Sequence, residues 1–253
     1  MASCPFLWSY NFAEIYLRDW THEWLDRFEG AENEQQVFSH LCGISRSLGF
    51  DYCAYGARMT LPLSRPKTVM RNDYPPTWQV RYSEAEYLQQ DPTVKHGLCD
   101  LNPLLWSDAL FAGSPKLWDE AKSCGLRVGW AQSSLDSRAM RGMLTLARSS
   151  ETLTASELAA NETKMRWLVI ITHQAFSRVL KAHMPELPLD AVTKREVEIL
   201  RWSADGKTSE EIATILNISV NTVNFHIKNA LHKLRAPNKI AAVVRAAVLG
   251  LLT

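Results

Sequence analysis

The sequence predicts an α+β fold: an N-terminal α/β/α sandwich on one antiparallel sheet, followed by an all-α domain of four helices. Charge divides the chain in the same way. Residues 191–253 hold nine basic and five acidic residues, a net charge of +4, whereas the first 190 residues hold 19 basic and 22 acidic ones, a net charge of −3. Eight of the nine tryptophans lie before residue 190. We therefore expect a small basic domain after a larger, aromatic-rich one.

Local patterns predict the order ααββαααββα for the larger domain. Apolar spacing and proline positions indicate helices over 12–28, 34–48, 75–87, from 91, over 115–124 and over 155–180, and strands over 50–59, 67–71, 126–133 and 142–147. Pro185 and Pro188 exclude a helix interior and mark a linker over 181–190. The predicted domains are residues 1–180 and 191–253.

Composition limits the class of protein. Of the 253 residues, 46% are hydrophobic and 22% are charged, which is typical of a globular chain and excludes an intrinsically disordered one. No apolar run approaches the roughly 18 residues of a membrane span, and the N-terminus lacks the basic region of a secretory signal. We expect a cytoplasmic protein that makes no membrane contact.

Cysteines and histidines give no sign of a metal site. The five cysteines are widely spaced, with no CxxC pair, so we expect reduced thiols that pack as small core side chains. The histidines have no second ligand at metal-binding spacing and are expected at the surface. These residues are Cys4, Cys42, Cys53, Cys99 and Cys124, and His96, His173 and His226.

The C-terminal part has a helix-turn-helix pattern. Thr193 and Thr208 each begin a capping box, and Ser219 caps a third helix whose outer face is rich in amides and lysine. An ordinary solvated face would explain the polar side chains, but it would not explain the turn spacing. Asn can pair with adenine, and Lys can donate to guanine or phosphate. The candidate DNA-binding residues are Lys207, Thr208, Asn221, Thr222, Asn224 and Lys228. A fourth, apolar helix after Asn238 favours a homodimer.

At this point the sequence resembles a known family. The run from Thr193 to Leu234 is similar to the DNA-binding domain of LuxR-type regulators, with Glu196, Leu200 and Gly206 at characteristic positions. The larger domain is similar to their ligand domain in YPPTW (74–78), Tyr82, Asp91-Pro92, Trp106 and Gly129. The resemblance implies a quorum-sensing transcription factor that binds an N-acyl-homoserine lactone and, as a homodimer, a palindromic operator. It implies no enzyme activity, no cofactor besides this signal ligand, and RNA polymerase as a further candidate partner.

The resemblance also implies a ligand site. Trp78 would donate to the lactone carbonyl, Asp91 would accept from the amide N–H, and tyrosine and threonine hydroxyls would serve the amide carbonyl. The candidate residues are Tyr74, Trp78, Tyr82, Asp91, Thr93, Trp106, Phe111, Thr145, Ala54 and Gly56, with Trp118 as a further cavity residue. Each has a simpler interpretation, because the tryptophans could serve only the core and Asp91 could be only a helix cap.

Two departures from the family pattern concern the acyl-chain end of the pocket. Gln132 places an amide where an aliphatic side chain is usual, and Arg141-Gly142 replaces apolar and small polar residues. A LuxR-type solo regulator that responds to a different small molecule, or to none, is therefore an alternative.

Two other classes of protein fit the sequence less well. A phosphorylation-controlled response regulator would need a receiver domain with alternating apolar strands, and an enzyme would need a nucleophile motif, a metal cluster or a phosphate loop. Neither pattern is visible in the sequence.

Overall fold

The computed structural model describes residues 12–136, 139–182 and 192–252. The chain divides into two compact units. The first takes in most of the described residues up to Lys181, and the second takes in 192–252 together with the segments 58–69, 135–136 and 139–141. Most of the predicted linker lies outside the described residues.

The first unit follows the predicted order of elements. Its helices are α1 (Phe12–Glu29), α2 (Glu34–Ser47), α3 (Pro76–Glu84), α4 (Pro92–Cys99), α5 (Pro115–Ser123) and α6 (Ala155–Ala182). Its strands are β1 (Tyr52–Arg58), β2 (Thr68–Asn72), β3 (Leu104–Leu105), β4 (Val128–Leu135) and β5 (Arg141–Arg148). The strands form one sheet in the order β2-β1-β5-β4-β3.

Two details differ from the sequence-based expectation. The helix expected over 75–87 ends at Glu84, because Glu86 adopts a left-handed backbone conformation with φ of 51°, and a 3-10 turn follows at Tyr87–Gln89. The strand β3 was not expected. It pairs antiparallel with β4, Leu104 opposite Ala131, and two residues are too short to leave a periodic signal.

Both faces of the sheet are covered by other parts of the chain, as expected for the predicted α/β/α sandwich. On one face, the ring of Tyr55 stacks on Phe176 of α6 with centroids 4.2 Å apart, and its hydroxyl lies 2.7 Å from His173 Nδ1. His173 is 2% exposed, so the expectation of a surface histidine was wrong there. A Cβ on Gly142 would collide with the His173 ring and the Tyr55 hydroxyl. Gly142, at one of the two departures from the family pattern, therefore leaves room for the side chains that pack between the sheet and α6.

The second unit consists, in its described residues 192–252, of α7 (Lys194–Ala204), α8 (Ser209–Leu216), α9 (Val220–Lys233) and α10 (Lys239–Val248). Both predicted capping boxes are present, at Thr193 with Glu196 and at Thr208 with Glu211. Ser219 caps α9 as predicted, and Asn217 turns the chain between α8 and α9 with φ of 51°. The four-helix architecture of this domain is confirmed.

Apolar residues of α9 hold the four helices together from two sides. One cluster packs α9 against α7 and α8, and another packs it against α7 and α10. Glu196 of α7, which is 2% exposed, accepts hydrogen bonds at 2.8 Å from Lys233 of α9 through both carboxylate oxygens. This contact fixes α9 from its C-terminal end. No helix within 12–136, 139–182 and 192–252 is long and apolar enough to span a bilayer.

Candidate functional site

Aromatic side chains fill the sheet face that lies opposite α6. Phe111 stacks on Trp118 with centroids 4.5 Å apart and planes 4° apart, and Trp106 meets both rings edge-on. Trp78 stacks on Tyr87 at 5.9 Å. We call this group the aromatic cluster; its rings are Tyr52, Tyr74, Trp78, Tyr82, Tyr87, Trp106, Phe111 and Trp118.

Asp91 lies at the first turn of α4 and is tied to its neighbours. Its Oδ1 accepts from the backbone N–H of Thr93 at 2.8 Å and from the Thr93 hydroxyl at 2.6 Å. Its Oδ2 accepts from the Tyr82 hydroxyl at 3.0 Å. Asp91 is therefore the helix cap that the sequence allowed, and the Tyr82 bond also connects it to the aromatic cluster. Burial raises the pKa of Asp91, against the hydrogen bonds from Thr93 and Tyr82.

Trp78 and Tyr74 complete this end of the cluster. Trp78 is 4% exposed, and its ring meets Tyr82 edge-on at 5.6 Å. Burial raises the pKa of Tyr74, and the nearby carboxylate of Asp91 acts in the same direction. The structure thus brings together Tyr74, Trp78, Tyr82, Asp91 and Thr93, which the sequence places over a span of 20 residues.

Several polar atoms in and beside the cluster lack partners within the described part of the chain. The Trp106 Nε1 is buried and makes no hydrogen bond there. No hydrogen bond from the Trp78 indole, the Tyr74 hydroxyl or the Thr145 side chain to another described residue is present either. For the Trp106 Nε1, which is fully buried, the lack of a partner costs about 1–3 kcal/mol. These donors are therefore available to a molecule that enters the cluster.

Small side chains line the sheet beneath the cluster. Tyr52 packs against the cluster, so Ala54 and Gly56, two and four residues further along β1, face the same side. A Cβ on Gly56 would meet nothing within 4 Å. On β5, Ala147 contacts the cluster, so Thr145 faces it too. Open space above small residues suits an apolar chain.

An ion pair that no sequence pattern indicated fixes this site. Arg81 of α3 donates to both carboxylate oxygens of Glu120 on α5, at 2.6 and 2.9 Å, and the Tyr87 hydroxyl donates to the same carboxylate at 2.7 Å. These bonds lower the pKa of Glu120 to about 2. Because 39 residues separate Arg81 and Glu120, no local spacing could have linked them.

The side chain of Gln132, where the sequence departs from the family pattern, makes a structural contact. Its Nε2 donates at 3.0 Å to the carbonyl of Leu101, which joins β4 to the segment after α4. Ser133 donates at 2.9 Å to the carbonyl of Gly97 on α4. Both side chains thus hold α4 and its C-terminal segment against the sheet.

The recognition face of α9 is open to solvent. Asn221, Asn224 and Lys228 are exposed, and Thr222 is half-buried. Thr208 caps α8 and is exposed, and Lys207 lies 3.7 Å from Glu211. The six predicted DNA-binding residues therefore lie at the start of α8 and along α9. The Asn224 Oδ1 accepts from the Ser209 hydroxyl at 2.9 Å, a contact that the sequence did not indicate.

The cysteines divide into buried and accessible ones. Cys42 and Cys53 are buried, as expected, whereas Cys99 is exposed, so the expectation of core packing was wrong for Cys99. Cys4 lies outside the described residues. His96 and His226 are half-buried.

Comparison with protein families finds one match for each part of the chain. Residues 33–176 match the autoinducer binding domain, and residues 190–246 match the family of bacterial regulatory proteins called luxR. The first match contains the aromatic cluster and Asp91. The second contains α7, α8 and α9.

Curated relatives and solved structures extend over nearly the whole chain. The transcriptional activator protein AnoR of Acinetobacter nosocomialis is 44% identical, over 93% of this chain and 100% of its own length. The quorum-sensing regulator RhlR of Pseudomonas aeruginosa is 40% identical, over 87% of this chain and 91% of its own. SdiA of Escherichia coli, solved in complex with octanoyl-rac-glycerol, is 35% identical with a TM-score of 0.76, over 93% of this chain and 96% of that one. The chain belongs to the LuxR family of quorum-sensing transcription regulators, with an autoinducer-binding domain before a DNA-binding helix-turn-helix.

Proposed function

We propose that the autoinducer of this chain is an N-acyl-homoserine lactone, and that the liganded protein binds a palindromic operator as a homodimer. The observation that carries the proposal is the set of donors and one carboxylate gathered at one end of the aromatic cluster. Trp78 and Tyr74 supply donors that make no hydrogen bond with another described residue, and Asp91, which is half-buried, supplies an acceptor.

The polar atoms of an acyl-homoserine lactone match this set. The ring carbonyl and the amide carbonyl each need a donor, which the Trp78 indole and the Tyr74 hydroxyl provide. The amide N–H needs an acceptor, and a carboxylate oxygen of Asp91 keeps capacity for one more hydrogen bond beside Tyr82. A charge-assisted bond to Asp91 is stronger than a neutral one.

The acyl chain would lie along the sheet. Ala54, Gly56 and Thr145 leave room on that face, and Trp106 and Phe111 form an apolar wall. Displacing water from such a surface contributes about 0.8 kcal/mol for each buried methylene.

The dimer proposal depends on α10. Ile240 on this helix is 75% exposed, and Val243 and Val244 are half-buried. A second copy could cover these side chains across a two-fold axis. Two recognition helices would then lie about 34 Å apart, one turn of DNA, which requires half-sites with two-fold symmetry.

A second candidate ligand is a monoacylglycerol, because the SdiA structure holds octanoyl-rac-glycerol. A glycerol hydroxyl can donate to Asp91, and the ester carbonyl can accept from Trp78. A monoacylglycerol has an ester where the lactone has an amide, so it has no amide N–H to donate. The two ligands therefore differ in the group that would contact Asp91.

Calorimetric titration of the purified chain tests the proposal. We expect saturable binding of an acyl-homoserine lactone, weakened in Trp78→Phe, which keeps the ring but loses the donor. Trp167→Phe is the matched control, because it removes an indole nitrogen on α6, outside the aromatic cluster, that makes no hydrogen bond in the described residues. Binding of octanoyl-rac-glycerol without any lactone binding would favour the second candidate. Equal affinity in both tryptophan variants would contradict the site.

A further inference from the structure

Two thiols and a carboxylate meet on the α2 side of the sheet. Cys42 of α2 and Cys53 of β1 are buried, and their sulfur atoms are 3.6 Å apart. Asp73, just after β2, contributes a carboxylate oxygen, and the three potential ligand atoms all lie within 4.8 Å of one another. The residues are 11 and 20 positions apart in sequence, so no short motif reveals them.

The carboxylate of this cluster is already oriented. Asp73 Oδ1 accepts from the backbone N–H of Cys53 at 2.7 Å, and Oδ2 accepts from Arg46 Nη2 at 3.2 Å. Outer contacts of this kind fix the direction of a ligating carboxylate. The Asp73 side chain is 20% exposed, whereas both thiols are buried, so a cation could reach the sulfur atoms past the carboxylate.

We propose that Cys42, Cys53 and Asp73 bind one zinc ion, which joins α2, β1 and the end of β2. Two thiolates at about 2.3 Å from a tetrahedral zinc ion are about 3.8 Å apart, close to the separation of the two sulfur atoms here. Mixed sulfur and carboxylate ligands suit this metal. A water molecule would take the fourth position.

Charge also favours a divalent cation. Two thiolates and one carboxylate carry three negative charges, which Zn²⁺ and the guanidinium of Arg46 balance. Neutral charge matters here because an unbalanced buried charge is costly. Each thiol must release its proton to the solvent on binding, so the affinity falls as the pH falls.

Cobalt substitution tests the site on the reduced, full-length protein. Titration with Co²⁺ should give thiolate-to-cobalt charge-transfer absorption that saturates at one ion per chain, and Zn²⁺ should abolish the absorption. Cys42→Ser should remove it. Asp73→Asn keeps both thiols and should weaken cobalt binding by more than about tenfold, the lower end of what outer contacts alone contribute.

The control is Cys99→Ser, which removes an exposed thiol outside the cluster and should leave the titration unchanged. Circular dichroism establishes that each variant is folded. The proposal is overturned if the folded, reduced wild type shows no charge-transfer absorption. It is also overturned if Cys99→Ser abolishes the absorption while Cys42→Ser keeps it. A third contradicting result is a disulfide between Cys42 and Cys53 whose reduction yields a protein that binds no metal.

Discussion

Ser209 donates its hydroxyl proton to Oδ1 of Asn224 at 2.9 Å, so the first turn of α8 orients an amide on the recognition helix. Because this bond holds the amide oxygen towards Ser209, the NH₂ group of Asn224 points away from Ser209 and its two N–H donors are available to DNA. From sequence alone we expected Asn224 to offer both a donor and an acceptor, as adenine requires. The Ser209 contact instead favours an acceptor on the DNA, such as guanine N7 or a phosphate.

Removing the Ser209 hydroxyl should change what Asn224 recognises. In Ser209→Ala the amide is free to turn and to pair with adenine. We therefore expect weaker discrimination at one operator position, measured by fluorescence anisotropy with single-base operator variants. Asn224→Ala should cost about 1–3 kcal/mol of specific binding if the amide contacts a base edge. Unchanged base preference in Ser209→Ala, together with a loss in Asn224→Ala, would show that the serine does not orient the amide.

Lys228 tests whether α9 contacts phosphate or base. Its side chain is exposed on the face that carries Asn221 and Asn224. If it contacts phosphate, Lys228→Ala should weaken binding to all sequences and reduce the slope of log affinity against log salt by about one. Lys116→Ala, on α5 of the first unit, removes the same charge from outside the DNA-binding domain and serves as the control. Wild-type affinity and salt slope in Lys228→Ala would exclude Lys228 from the interface.

The bonds from Arg81 and Tyr87 to Glu120 predict an acid-dependent stability. The pKa of Glu120 is lowered from 4.5 to about 2, so the folded protein binds this proton less readily than the unfolded chain. This contribution to the free energy of unfolding is fully present above pH 4.5 and is lost as the pH falls towards 2.

Urea denaturation over that pH range tests the prediction in the wild type and in Glu120→Gln. We expect the variant to be less stable near neutral pH and to lose less stability on acidification. Parallel pH profiles for the two proteins would show that Glu120 does not contribute through its charge.

Gly97 is a place where α4 approaches the sheet closely. A Cβ there would lie 2.5 Å from Ser133 Oγ and 2.8 Å from Met143 Sδ. Gly97→Ala should therefore destabilise the protein by about 1–3 kcal/mol, as overpacking does. Gly43→Ala in α2 is the control, because its Cβ would meet nothing within 4 Å, and it should be neutral or stabilising by up to about 1 kcal/mol. Equal unfolding free energies for the two variants would contradict the close approach.

Local sequence signals were sufficient for much of the fold. The capping boxes at Thr193 and Thr208 involve side chains three residues apart, and such contacts form wherever the helix forms. The proline at the start of α3 and the Asp91 cap of α4 are local in the same way. The helix-turn-helix and the outline of the sandwich could therefore be predicted from the residues themselves.

Contacts between residues far apart in the sequence could not be predicted from local patterns. The burial of His173 depends on Tyr55, 118 positions away, and on space left by Gly142. The hydrogen bond from Tyr82 to Asp91 and the cluster of two cysteines with Asp73 arise only when separate elements pack. The candidate ligand residues came from family resemblance, and their roles stay predictions.

We expect a lactone bound at Asp91 to stabilise the fold and to increase operator binding. A ligand at a hundredfold excess over its dissociation constant adds about 2.7 kcal/mol to the free energy of unfolding. Asp91→Asn separates ligand binding from folding, because asparagine also caps helices well but lacks the charge that strengthens the bond to the amide N–H.

The most direct test is the melting temperature of the full chain with and without an acyl-homoserine lactone, measured together with operator affinity. We predict that the lactone raises both in the wild type, and that Asp91→Asn keeps its unliganded melting temperature but loses most of both increases. A wild-type protein whose melting temperature and operator affinity are the same with and without every lactone tested would contradict the account.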